Sequence, residues 1–336
     1  MDTLVVLGYF GYNTNQLDGQ TIKTRDLYKL ACQEYNNVQY YDTEDFKFNK
    51  LSIFKMLWQV ISSRIIVYLP AHNNLKIIFP IIFVLSKIFR TKIHYFVVGG
   101  WLSEFLKSLP LHRFMLRHIS GIHTETQQLK SELESYYNFT NVDVFPNFRF
   151  FDFQPTRILR DKLRVVFMAR INKMKGLDWI FSLAEYITVN QLEDKILMSF
   201  YGPIHDEDRD YFETELSKYS FAEYKGVLQP SEIHQTLNDY DVMLLPTHYY
   251  TEGLPGSIID AYISGIPVIV TDWKHSREFV DEGKCGYIIP FENGVDALIE
   301  RVIRLMNNRD TLSDLQSGAF AKRQAFMPPT IEFILT

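Results

Sequence analysis

Residues Thr251 to Thr271 read T-E-G-L-P-G-S-I-I-D-A-Y-I-S-G-I-P-V-I-V-T. A carboxylate, Glu252, stands on a Gly/Pro loop, Gly253-Leu254-Pro255-Gly256-Ser257, and the spacing predicts a helix after it that carries a second carboxylate, Asp260. Gly265-Ile266-Pro267 breaks that helix, and Val268-Ile269-Val270 returns as a strand. The pattern suits a negatively charged, hydroxyl-rich ligand. Free N–H groups at a helix N-terminus, together with the positive end of its dipole, attract a diphosphate. Pro255 is tolerated at the helix start, where its missing N–H would be unpaired anyway, and the glycines let the backbone approach a ligand closely. Two carboxylates beside such a loop repel phosphate, so they are expected to accept hydrogen bonds from sugar hydroxyls. One would serve a transferred sugar and the other a ribose.

Strand and helix patterns alternate on both sides of this block. Apolar β runs fall near Leu4–Leu7, Val38–Tyr41, Ile65–Leu69, Ile93–Val98, Gly121–His123 and Val142–Phe145, then again near Arg164–Met168, Ile196–Tyr201, Ala222–Tyr224, Val242–Leu245, Val268–Val270 and Tyr287–Ile289. Helical patterns fill the gaps, so two parallel, doubly wound α/β sheets with right-handed crossovers are predicted. The length of 336 residues fits two domains at ~150 residues each, divided here as 1–154 and 155–336. Ligands of such sheets bind at the carboxyl ends of the strands.

The Glu252 block resembles the signature of retaining glycosyltransferases of the family 4 type. In that family an E-x7-E motif on a Gly/Pro loop is followed by A-x-x-x-G-x-P-V-I, and here Asp260 stands where the second Glu is usual. The resemblance implies a GT-B fold, two facing Rossmann-like domains with an interdomain cleft. It implies that the first domain takes the acceptor and the second binds a nucleotide-diphosphate sugar. Glu252 would contact the donor sugar, Asp260 the ribose, and the backbone from Gly253 through Leu254, Pro255 and Gly256 to Ser257 the diphosphate. The segment Ala169-Arg170-Ile171-Asn172-Lys173-Met174-Lys175-Gly176 looks like the family's G-R-x(4)-K-G, with Ala169 in place of the first Gly. There Arg170 and Lys175 would stabilise the charge growing on the leaving diphosphate, with no metal needed; a plain basic surface turn is the other reading.

Weaker signals complete the picture. Gly202, Gly226 and Val227 follow strands at turns that line the nucleobase pocket in this family, and Thr247 is read either as a phosphate contact or as a turn cap. The polar loop Gly8 to Gly19 resembles the family's glycine loop, with the single Gly19 replacing a pair. Gly99-Gly100-Trp101 stands where many members carry a His near the reacting sugar. Trp101 and His123 are therefore the acceptor-side candidates, although a lone His is more often structural. No D-x-D pair stands next to a basic cleft, since the D-E-D at Asp206–Asp208 lies in a polar helix start where acids are favoured anyway. No Walker loop or G-x-G-x-x-G occurs, so no metal, kinase or dehydrogenase chemistry is indicated. The donor is expected to be UDP-linked, with no separate cofactor and no nucleic-acid partner. Two other readings stay open: a nucleotide-sugar epimerase of the same fold, and a catalytically silent partner subunit.

Charge is distributed unevenly. From Phe46 to Ser103 there are eight basic residues and no acidic one. Within that stretch, Leu75–Phe89 presents Ile77, Ile78, Ile81, Ile82 and Leu85 beside Lys76 and Lys87. Such a segment suits either a core helix or an in-plane helix on an anionic membrane, and a polyprenyl-linked saccharide acceptor would lie on that same surface. The longest apolar run falls well short of the ~20 residues that span a bilayer. Cys32 and Cys285 have no metal or redox spacing, and no signal peptide is read at Met1. The sequence thus predicts a cytoplasmic enzyme, peripheral at the inner face of the membrane, that builds surface polysaccharide.

Overall fold

The computed structural model describes residues 3–156 and 160–331. It has two compact units, one of Met1–Phe150 with the chain from Pro328 onward, the other Phe151–Met327. In the first unit the strands are β1 (Leu4–Gly8), β2 (Val38–Asp42), β3 (Ile65–Leu69), β4 (Lys92–Phe96), β5 (Gly121–Thr124) and β6 (Val142–Val144). They form one parallel sheet in the order β2-β1-β3-β4-β5-β6. In the second unit β7 (Leu163–Met168), β8 (Ile196–Tyr201), β9 (Ala222–Tyr224), β10 (Val242–Leu245), β11 (Val268–Thr271) and β12 (Gly286–Ile289) pair in parallel as β12-β11-β10-β7-β8-β9. The helices on which the site and surface depend are α1 (Gly19–Glu34), α2 (Ser52–Ser62), α3 (His72–Ile77), α4 (Phe79–Phe89), α5 (Pro110–Arg117), α6 (Leu177–Val189), α7 (Ile233–Leu237) and α8 (Gly256–Ile263).

Side chains alternate across a strand, and the first sheet shows both faces in use. Val5 and Leu7 belong to one core with Ile66 and Tyr68; Leu4 and Val6 belong to another with Ile65 and Val67. Helices cover both faces, which is why β1 and β3 are buried at every position and read as unbroken apolar runs.

The strands lie where the sequence predicts them, but two boundaries differ. The division between units falls at Phe150–Phe151 rather than after residue 154, and Pro328–Ile331 belong to the first unit, not the second. Ile331 is fully buried among Phe145 and Phe148 of the first, and its N–H donates to the Glu34 carboxylate at 3.2 Å. A return of this kind has no local sequence signal, because a short apolar segment can fill a gap in either core. The predicted single helix over Leu75–Phe89 is two, α3 and α4, meeting at Ile78 just before Pro80. Pro80 has no N–H for a helical bond and its ring crowds the preceding turn. Among the described residues no helix is long and apolar enough to cross a membrane.

Candidate functional site

In the second unit the chain leaves β7, bends through Ala169-Arg170, and makes one 3-10 turn, Lys173–Lys175, before α6. Gly176 closes that turn at φ +85°, and a Cβ there would sit 2.0 Å from the Pro246 carbonyl oxygen. Only glycine permits so close an approach. It seats the basic turn on the end of β10, where the Glu252 loop begins.

This contact brings the two sequence motifs together. Lys175 Nζ lies 2.5 Å from Glu252 Oε2, with about a fifth of each side chain exposed. The Thr247 hydroxyl is 3.3 Å from the same carboxylate oxygen and 3.3 Å from the Met174 carbonyl, and the His248 N–H donates to that carbonyl at 2.8 Å. Thr247 is fully buried, and it also accepts from the Tyr249 N–H, so it caps the turn and braces Glu252. The Thr271 hydroxyl donates to the Thr247 carbonyl at 2.6 Å, which ties the loop to β11. The Lys175 ammonium stands 5.0 Å from the centre of the Tyr249 ring, an attractive placement for a cation.

Helix α8 starts as the sequence predicts, with Pro255 extended at its N-cap and Gly256 in the first helical position. Gly253 and Leu254 are buried, while Pro255, Gly256 and Ser257 are half-buried. Asp260 is only 5% exposed and its Oδ1 is 3.2 Å from His234 Nε2 of α7. The structure therefore gives Asp260 a histidine partner that the sequence reading missed; no spacing rule links positions 234 and 260, and only the fold brings the helices together. Arg170 is exposed at the bend after β7. Gly202, at φ +135°, leaves no room for a side chain, since a Cβ would meet the Ala169 carbonyl oxygen at 1.9 Å. Its N–H donates to the Gly226 carbonyl at 2.9 Å, and Val227 beside it is 45% exposed. The turns after β7, β8 and β9 thus adjoin at the carboxyl edge of the sheet.

Gly19 opens α1 behind a capping box formed by Asp18 and Thr21, and a Cβ there would touch nothing within 4 Å. The loop before it is held by carboxylates from the β2 side: Glu44 accepts from the Tyr9 and Thr14 hydroxyls and the Asn13 N–H. Lys23 of α1 is fully buried, donating to Glu125 at 2.7 Å and to the Val97 carbonyl at 2.9 Å. Glu125 also accepts from the Gly99 N–H, so this pair orients the loop that holds Trp101. Burial holds the Lys23 pKa below its ordinary value despite Glu125. A lysine within an α1 pattern reads as solvated, which is why the pair escaped the sequence reading. Trp101 is half-buried, its indole N–H donating to the Val98 carbonyl and its ring 5.0 Å from that of His72.

His123, one of the two acceptor-side candidates, lies inside the core of the first unit. It is 1% exposed, its Nε2 lies 3.1 Å from His94 Nδ1, and the two rings stack at 15°. Gly121 makes room for them, since a Cβ there would meet both rings at 2.9–3.0 Å. Burial, the largest cause in each case, pulls the His94 pKa down to about 4 and the His123 pKa down to about 3. An unfolded histidine titrates near ~6.5, so the unfolded chain takes up protons first as pH falls. The stability these groups contribute is present above pH ~6.5 and is lost on the way down to about 3. Between pH 7 and 5 the urea midpoint of the protein should fall, and His123→Leu should flatten that fall. An unchanged slope in the variant would show that the pair does not titrate this way.

Residues 148–322 match the family described as glycosyl transferases group 1, more than half of the chain. The chain belongs to the group 1 glycosyltransferases. Among relatives, it is 23% identical over 198 residues to an uncharacterized 41.2 kDa protein in the cps region of Klebsiella pneumoniae, covering 57% of this chain and 52% of that one. It is 28% identical over 165 residues to the putative colanic acid biosynthesis glycosyltransferase WcaL of Salmonella typhimurium, covering 48% and 40%. The matches thus span about half or less of those relatives' own lengths. Among solved structures, Anabaena HepE in complex with UDP and glucose superposes with a TM-score of 0.74 at 13% identity, covering 100% of this chain and 98% of that one. The lipopolysaccharide outer core galactosyltransferase WaaB gives 0.66 at 11%, covering 100% and 97%. This group 1 transferase has the two-domain α/β GT-B fold.

Proposed function

We propose that this chain is a retaining, metal-independent hexosyltransferase. It would move a hexosyl group from a UDP-sugar to a saccharide or polyprenyl-linked saccharide in surface-polysaccharide synthesis, at the cytoplasmic face of the membrane. The Lys175–Glu252 pair carries the reading: it places a cation and a carboxylate side by side at the carboxyl ends of β7 and β10, next to the N-terminus of α8. The complexes of HepE with UDP and glucose and with UDP-glucose support the choice of donor, and the WcaL relative supports the setting.

In this reading the diphosphate takes Lys175 from Glu252, and the carboxylate so released accepts from a hydroxyl of the donor hexose. Arg170 and the N–H groups from Gly253 to Ser257 complete the anion site. Asp260, oriented by His234, takes the ribose, and the turns at Gly202 and Gly226–Val227 take the base. As the bond from C1 to the phosphate oxygen breaks, negative charge grows on the diphosphate against these cations. The departing oxygen takes the proton of the acceptor hydroxyl while that hydroxyl bonds to C1 on the same face.

A panel of UDP-, GDP- and ADP-sugars incubated with the protein tests this. A UDP-hexose should be slowly hydrolysed and should raise the melting temperature, and chelator should leave the rate intact. Loss of activity with chelator, restored by Mn²⁺ or Mg²⁺, would refute the metal-independent mechanism. Binding without turnover in the presence of acceptor saccharides would favour a silent partner subunit, and release of an isomeric nucleotide-sugar an epimerase.

A further inference from the structure

One face of the first unit is apolar where it meets water. Helix α2 turns Met56 and Val60 into the core and leaves Phe54 66% and Trp58 71% exposed. Helix α4 buries Phe79, Ile82 and Phe83, yet Ile81, Val84 and Ile88 are exposed, as is Ile77 at the end of α3. On α4, Ile81, Val84 and Ile88 recur at i, i+3 and i+7, one stripe along successive turns. Within this segment Ile82 faces the core, while Ile77 and Ile81 face out. On α5, Leu111 and Phe114 are more than half exposed. Helix α4 packs against both α2 and α5, and the Phe114 ring of α5 lies 6.5 Å from that of Phe83, so the exposed apolar residues stand on neighbouring helices. A surface helix of a water-soluble protein has one apolar face; α4 has two, and contiguous exposure on this scale marks an interaction site.

Charge along this stretch of chain has one sign. Lys55, Lys76 and Lys87 stand exposed on these helices, within the stretch from Phe46 to Ser103 that has no acidic residue. A second copy docked on the same face through a two-fold axis would set these cations against each other. An anionic lipid surface satisfies both the apolar stripe and the cations, and an indole such as Trp58 suits the boundary between headgroups and acyl chains. We propose that α2, α4 and α5 form an in-plane docking face for an anionic bilayer, with Phe54, Trp58, Ile81, Ile88 and Phe114 reaching the acyl boundary and the lysines on the lipid phosphates. The inference rests on the membrane-surface part of the proposed function and is independent of the donor chemistry.

Sedimentation of the whole protein with vesicles of phosphatidylcholine, with and without phosphatidylglycerol, tests it. Binding should require the anionic lipid, weaken with salt, and shift tryptophan emission to the blue, a shift that Trp58→Phe abolishes. Each lysine near the surface contributes roughly fivefold to the partition, so replacing Lys55, Lys76 and Lys87 with Gln should weaken binding about 100-fold. Combined Phe54→Ser, Trp58→Ser and Ile88→Ser should abolish it while melting temperature and lipid-free UDP-hexose hydrolysis stay as in the parent. Vesicle binding without any nucleotide-sugar turnover would leave this face standing and remove the transferase reading. Equal binding to both vesicle types, no binding to either, or a lipid-free dimer that Trp58→Ser dissociates would overturn the docking face.

Discussion

Lys175→Ala should lower hexosyl transfer by ~100-fold or more, the magnitude of a lost donor to transition-state charge. Two effects act together. The ammonium that meets the growing charge of the diphosphate is gone, and Glu252, now without the cation 2.5 Å away, presents its carboxylate to an incoming anion. Nucleotide diphosphate affinity should therefore fall along with turnover. The fold itself should tolerate the change, because the turn is held by backbone contacts, Gly176 against Pro246 and the His248 N–H on Met174, and not by the lysine side chain. Steady-state kinetics with the preferred donor, together with a melting curve, separate the cases. Near-normal turnover in a folded variant would remove Lys175 from the mechanism.

The two motifs that meet in this pair were legible for a physical reason. Parallel sheets buried on both sides impose unbroken apolar strands, and turns at their carboxyl ends need glycine or proline at particular points, so Val268-Ile269-Val270, Pro255 and Gly176 declare themselves along the chain. What the sequence does not carry is distance across the fold. The Asp260–His234 pair joins two helices 26 residues apart, and the buried Lys23–Glu125 pair joins residues 102 apart; neither has a local pattern. The burial of His123 has no local pattern either. A histidine ending a strand beside polar Thr124-Glu125 resembles a site residue, yet here the strand end is still inside the core, where His94 and Phe96 pack on its ring. The helix pattern at Leu75–Phe89 was ambiguous because α4 is apolar on both sides, and only solvent exposure sorts Ile81 from Ile82.

Glu252→Gln separates the sugar from the nucleotide. The amide keeps the shape of the carboxylate, and Thr247 can still bond to its oxygen, so the loop should hold its position. What is lost is the negative charge, and with it a charge-assisted acceptor for a donor hydroxyl, which is about twice as strong as a neutral one. A free nucleoside diphosphate has no hexose to present. It should bind to the variant as well as to the parent, or more tightly, because Lys175 no longer has to leave a carboxylate and one repulsive charge is removed. The nucleotide-sugar should lose that advantage, and transfer should fall by ~100-fold or more if the contact strengthens as positive charge develops at C1. Calorimetric titration of UDP and of the intact donor into parent and variant, beside turnover, gives the comparison. If UDP and UDP-hexose lose affinity equally, Glu252 is a structural partner of Lys175 and does not touch the sugar.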